Sequence, residues 1–243
     1  MRPRLPTVLC AALLAACGGG GDSGIQGIGG NASGPAFQPA PGVDFNAFAA
    51  WQNFLATSRT WTVTGTGSDG NRYTVTIATA AAAPATFTPT EVVTSVSDAT
   101  LRIEGAGISS TVVRSTFFDP AGFQPIGLAW QGEGPVPTCD VAVEAGVPPT
   151  AAQIPSSGLL ARLARRADCA RGPSTPTGAT LLLTWSLDQE DGINVFCINS
   201  DVLDAADPAR QQCVEVAPDG TLGTGAFVSL ELDNGVTVEA ASR

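Results

Sequence analysis

The side chains that could do chemistry in this chain are mostly acidic. Among 243 residues there are 22 Asp and Glu, 12 basic residues that are all arginine, and no histidine. Without His or Lys the chain cannot build Ser-His-Asp or Cys-His nucleophile systems, histidine-ligated zinc or copper sites, or a lysine Schiff base. A phosphate-cradling G-x-x-x-x-G-K-[ST] loop is excluded for the same reason. No cofactor motif is present, so no cofactor is expected. Carboxylates remain, and a glycosidase needs two of them about 5 to 9.5 Å apart across a sugar cleft. Glu133, Asp140, Asp188 and Glu190 are the candidates. Sequence alone pairs none of them, and a domain this poor in tyrosine lacks the aromatic residues such clefts usually carry.

Calcium is the other carboxylate chemistry. Asp188-Gln189-Glu190-Asp191-Gly192 has the look of an acidic calcium loop. Its glycine is fifth rather than sixth, however, and no acid stands at the twelfth position. A hairpin turn accounts for it better. Asp201, Asp204 and Asp207 suit solvation or helix-start capping more than cation binding. Trp61, Trp130 and Trp185 could form a stacking platform for a sugar, but tryptophan in a strand is more often core.

The elements that must position these groups are mainly β. After residue 57 short segments alternate with period two, at 60–64 and 73–77 around Asp69-Gly70. Asp-Gly or Asn-Gly between such runs marks a hairpin, because the turn needs positive φ. The device recurs at Asp191-Gly192, Asp219-Gly220 and Asn234-Gly235. Further strands are expected at 91–96, 100–104, 108–118, 127–131 and 138–143. The fold class that follows is an antiparallel β-sandwich or barrel built of hairpins. Two short helices are expected beside it. One starts at Asp44 as N-cap and carries Phe45, Phe48, Trp51, Phe54 and Leu55 at helical spacing. The other, near 157–168, places Leu159, Leu160 and Leu163 on one face, with Arg162, Arg165 and Arg166 elsewhere.

The N-terminus has a different character. Arg2 and Arg4 precede an apolar run that ends in small residues, the layout of a secretory signal and too short to remain as a membrane span. Leu14-Ala15-Ala16-Cys17 resembles the lipobox of bacterial lipoproteins. The resemblance covers the N-terminus only. It implies cleavage before Cys17, a diacylglycerol on its thiol and acylation of the new amine. Two or more acyl chains, such as palmitate, make a stable anchor where one does not. Gly18 rather than Asp after the cysteine implies sorting to the outer membrane of a Gram-negative bacterium. Residues 18–43 contain ten glycines, with Pro35, Pro39 and Pro41. Such a segment buries too little surface to offset its ordering entropy. As a flexible tether it would reach roughly 28 Å. The organisation read here is a signal peptide at 1–16, lipidated Cys17 with its tether at 17–43, and one β-rich domain at 44–243.

Export bears on the remaining cysteines. Cys139, Cys169, Cys197 and Cys213 are an even set in an exported domain, which favours two disulfides over free thiols. Cys197–Cys213 and Cys139–Cys169 are the preferred pairs because each closes a local loop. A loop of the first size contributes about 3 kcal/mol in the chain-entropy model. No C-x-x-C pair exists to support a metal site.

Processing would leave ten arginines against 22 acids, a net charge of −12. That balance disfavours nucleic acid as a partner, since phosphate neutralisation supplies much of that affinity. The expected partner is the lipid bilayer, through acylated Cys17. The expected role is a non-enzymatic, membrane-anchored envelope protein facing the periplasm or cell surface, with a β-rich binding or structural module. A glycan-active hydrolase using paired carboxylates is the alternative, as is an accessory subunit of an outer-membrane complex.

Overall fold

A computed structural model describes residues 42–85, 87, 94–131, 138–166, 180–202, 210–232 and 234–242. Where the sequence alternates apolar with polar residues, the chain extends, because a strand sends successive side chains to opposite faces. In β1 (Arg59–Gly67), Trp61 and Val63 are buried while Thr60, Thr62 and Thr64 are exposed. β2 (Arg72–Ala85) repeats the pattern with Tyr73, Val75 and Ile77 buried. There follow β3 (Thr94–Gly105), β4 (Ile108–Phe118), β5 (Pro125–Gln131), β6 (Thr138–Ala145), β7 (Ser156–Arg166) and β8 (Thr180–Glu190). The wall continues through β9 (Ile193–Val202), β10 (Arg210–Val216), β11 (Leu222–Glu231) and β12 (Thr237–Ala241). Each strand pairs antiparallel with its chain neighbours, and β12 pairs with β1 to close the ring. Between a sandwich and a barrel, the chain forms the barrel.

The hairpin turns fall where the Gly dipeptides placed them. Asp191 and Gly192 both take positive φ, at 50° and 79°, in a two-residue turn between the paired Glu190 and Ile193. That is the geometry a right-twisted hairpin needs. The acidic run 188–192 is therefore a turn and its flanking strand.

Apolar side chains fill the barrel and polar ones face out. Leu101, Ile103, Leu128, Leu163, Leu183, Phe196, Val214, Val228 and Val238 belong to one interior cluster with Trp61 and Trp185. Outside stand Thr60, Thr62, Thr111, Arg102 and Glu104, all exposed. A bilayer-spanning barrel has the reverse arrangement, with an apolar outer band and a polar lumen. Eight strands already make a barrel just wide enough for side chains to fill. With twelve strands opposite walls still meet here: the Arg210 guanidinium of β10 lies 5.6 Å from the centre of the Trp130 ring of β5.

One end is closed by α1 (Ala47–Ala56), which buries Ala47, Ala50, Trp51, Phe54 and Leu55. Its N-cap is Asn46, whose Oδ1 accepts from the Ala49 N–H at 2.9 Å. The expected cap, Asp44, instead accepts from Gln153 Nε2. Three hairpin ends hold the helix. The Asn46 N–H donates to Pro218 O, the Phe48 N–H to Pro149 O, and Trp51 Nε1 to Phe123 O. β12 is too short to cover the first half of β1, so side chains span that seam. Arg59 and Trp61 donate to the carbonyls of Leu222 and Gly223 in β11.

The helix expected near 157–168 is instead β7. A bulge between Leu159 and Ala161 places two residues against one on β8. It leaves Leu160, Ala161 and Leu163 all buried. A bulge breaks the period of two, and the resulting spacing imitates a helical face. Residues 94–96 and 100–104, expected as parts of two segments, belong to a single strand, β3, while 91–93 lie outside the described residues.

Candidate functional site

A group of charged and polar side chains sits in the barrel interior toward the end opposite α1. Its position follows from strand register, since residues directly opposite one another share a face. Arg114 of β4 pairs with Trp130 of β5. Leu128, fully buried in the core, pairs with Asp140 of β6, and Asp140 with Arg165 of β7. All four polar side chains therefore point inward. From the facing wall come Ser200 of β9 and its partner Arg210 of β10, with Gln212 two residues on.

Asp140 has no solvent exposure. Its Oδ2 accepts from Trp130 Nε1 at 2.8 Å, and its Oδ1 accepts from Arg165 Nε at 3.1 Å. A buried carboxylate is tolerable when it is paired and hydrogen-bonded in this way. The other face of this group is cationic. Arg210 lies over the Trp130 ring, where the negative π face attracts a guanidinium. Arg114 is only 7% exposed. Burial, and then the Arg210 charge beside it, lower its pKa to about 10, so it remains a cation at neutral pH. Arg114 Nε and Gln212 Oε1 are buried with no hydrogen-bond partner. Arg114, Trp130, Ser200, Arg210 and Gln212 line a cavity of about 10 Å³, roofed by apolar side chains that include Leu101, Val112 and Ile198.

Three guanidiniums thus share this interior with one carboxylate among the buried groups described. At Arg114, whose Nε–H is unpartnered, the arrangement suits holding negative charge. It does not supply the two carboxylates of a glycosidase. Asp140 is committed to Trp130 and Arg165, whereas Asp188 and Glu190 lie beside the β8–β9 turn at the α1 end. Glu133 lies outside the described residues. At the hairpin, burial and then the charges of Asp188, Asp191 and Glu239 push the Glu190 carboxyl above its usual range.

The cysteines divide. Cys197 and Cys213 form a disulfide directly across the β9–β10 pair, on the outer side of the wall. Val195 and Phe227 pack beside it. Cys139 is disulfide-bonded as well. Cys169 lies outside the described residues, as do Cys17 with residues 1–41, and Asp204 and Asp207. Trp61, Trp130 and Trp185 all sit in strands and all are buried. Of these, Trp130 alone borders the cavity. The arginines of 157–168 fall on both sides of β7. Arg162 faces out beside Glu144 at 3.5 Å, and Arg165 faces in.

Sequence reasoning passed over Arg114, Ser200, Arg210 and Gln212. A signal for Arg114 was present: it falls on the apolar parity of the 108–118 strand, two residues from Val112. A charge at an inward position of an amphipathic strand is costly and invites a reason. Arg210 had no such signal, because its segment gives no clear alternation. No protein-family model, curated protein or solved structure matches this chain.

Proposed function

We propose that this is a membrane-anchored envelope lipoprotein whose working part is a rigid, water-facing β-barrel. Its action is binding or envelope organisation rather than catalysis. The observation that carries the reading is the polarity of the wall. Threonines and charged residues such as Thr60, Thr62, Arg102, Glu104 and Thr111 stand outside, while one apolar cluster occupies the interior. The described wall carries no apolar outer band of the kind a bilayer-spanning barrel has, and membrane attachment would then fall to a separate device. Leu14-Ala15-Ala16-Cys17 supplies one, and the glycine-rich segment behind it gives the barrel reach from the lipid surface.

The closed ring adds to this reading. Among the described residues it leaves little sheet edge open to other chains, the uncovered first half of β1 being bridged to β11 by Arg59 and Trp61, which suits a module displayed at high local concentration on a membrane. The test is Cys17→Ser in the native host. The variant should move from the membrane fraction to the soluble fraction with its β-rich circular dichroism unchanged. Retention in the membrane fraction would overturn the proposal.

A further inference from the structure

We propose that the cavity between β4, β5, β9 and β10 binds one small monovalent anion, a halide or the head group of a small carboxylic acid, with Arg114 as its principal donor. The case begins with Arg114. Arg114 is only 7% exposed, its Nε–H has no partner, and it lines the cavity. A buried cation without a counter-charge is among the more costly features a fold can carry. The charge that reaches Arg114 from within the protein is another cation, Arg210. The one buried acid described nearby, Asp140, is held by Trp130 and Arg165.

The cavity size sets the ligand class. About 10 Å³ is close to the least space that holds one water-sized particle. A chloride ion is slightly larger and a carboxylate larger again. Both are reachable because the cavity is partly open rather than a sealed void, so an ion can enter with part of its volume outside the narrowest space. Sulfate and phosphate esters are too wide and carry too much charge for the space. The remaining lining suits an anion. Ser200 carries a hydroxyl donor, and a half-turn of the Gln212 amide presents its N–H₂ to the cavity. The apolar roof of Leu101, Val112 and Ile198 keeps the local dielectric low, which strengthens each charge-assisted hydrogen bond. A single water could join Arg114 Nε to Gln212 Oε1, but it would leave the charge uncompensated.

The experiment is thermal unfolding of the purified barrel at constant ionic strength, with sodium chloride, bromide or formate replacing sodium gluconate. Chloride and bromide should raise Tm saturably by a few degrees over gluconate, and Arg114→Met should abolish that difference. A rise with formate alone would assign the site to carboxylate head groups. Wild-type crystals soaked in bromide should show an anomalous peak beside Arg114 Nε, a readout that holds even if Arg114→Met fails to fold. Equal Tm in all the salts, with a water and no anomalous signal in the cavity, would overturn the proposal.

Discussion

Trp130 Nε1 and Asp140 Oδ2 meet at 2.8 Å inside the barrel, joining adjacent strands through a hydrogen bond that water does not reach. The register offsets the two residues diagonally, since Trp130 opposes Thr138 and Asp140 opposes Leu128. An indole is long enough to span that diagonal. The bond therefore fixes both the tryptophan ring, over which Arg210 lies, and the carboxylate that neutralises Arg165. It is the hinge between the anionic and cationic parts of the interior.

Breaking this relationship should be costly in a graded way. Trp130→Phe keeps the ring but leaves Asp140 one donor short, which predicts a loss of about 1–2 kcal/mol. Asp140→Ala removes the counter-charge of Arg165 and the acceptor of Trp130 together, which predicts a loss of about 3 kcal/mol or more. Arg165 is 27% exposed at its side chain and can turn partly toward solvent, which limits the second figure. Urea unfolding of both single variants and the double variant measures the terms. A double variant no less stable than Asp140→Ala would show that the tryptophan acts through Asp140.

A second prediction concerns pH. The Glu190 carboxyl is raised, first by burial and then by Asp188, Asp191 and Glu239. A carboxyl raised on folding favours the folded state below its unfolded pKa, and that advantage is lost as pH rises through the folded value. At neutral pH Glu190 is therefore a liability. Glu190→Gln should raise Tm at pH 7, and the gain should vanish as pH falls through the usual carboxylate range. Asp69 and Asp219 have the opposite sign. Hydrogen bonds from Asn71 and Thr221 respectively lower their pKa values. Their support is present above the usual aspartate range and is lost as pH falls through the lowered values. Thermal scans across acid pH should find Asp69→Asn with a shallower acid limb than the parent protein.

The β character, the hairpin turns and the Cys197–Cys213 pair were legible because each rests on a local rule: alternation, positive φ at Gly, or a short loop closure. The 157–168 segment was misread for an equally local reason. The Leu160 bulge mixes inward and outward positions, and only pairing with β8 reveals it. The interior cluster was legible in part. Asp140 stood out as a carboxylate and Trp130 as a strand tryptophan, but nothing in the chain says that residue 130 will face residue 210 across the barrel. That contact depends on how twelve strands close, a property no window of sequence contains.

The closure at the α1 end gives the last prediction. Gly220 sits in the β10–β11 turn at a φ of +85°, directly beneath the start of the helix. A Cβ there would lie 2.6 Å from Ala49 Cβ and 2.7 Å from both Ala50 N and Asn46 O. Asn53 Nδ2 also donates to the Gly220 carbonyl at 2.9 Å. Gly70 offers a control in the same fold. Its φ is +79°, yet a Cβ would meet nothing within 4 Å. Gly70→Ala should therefore cost only the left-handed backbone penalty of about 1–2 kcal/mol. Gly220→Ala carries that penalty plus the displacement of α1 from the barrel end. It should lose at least about 2 kcal/mol more than the control, because the buried Trp51, Phe54 and Leu55 move with the helix. Chemical unfolding of the two variants measures the difference. Hydrogen exchange should locate the added loss in residues 47–56, and equal destabilisation of both variants would show that the helix is not seated through Gly220.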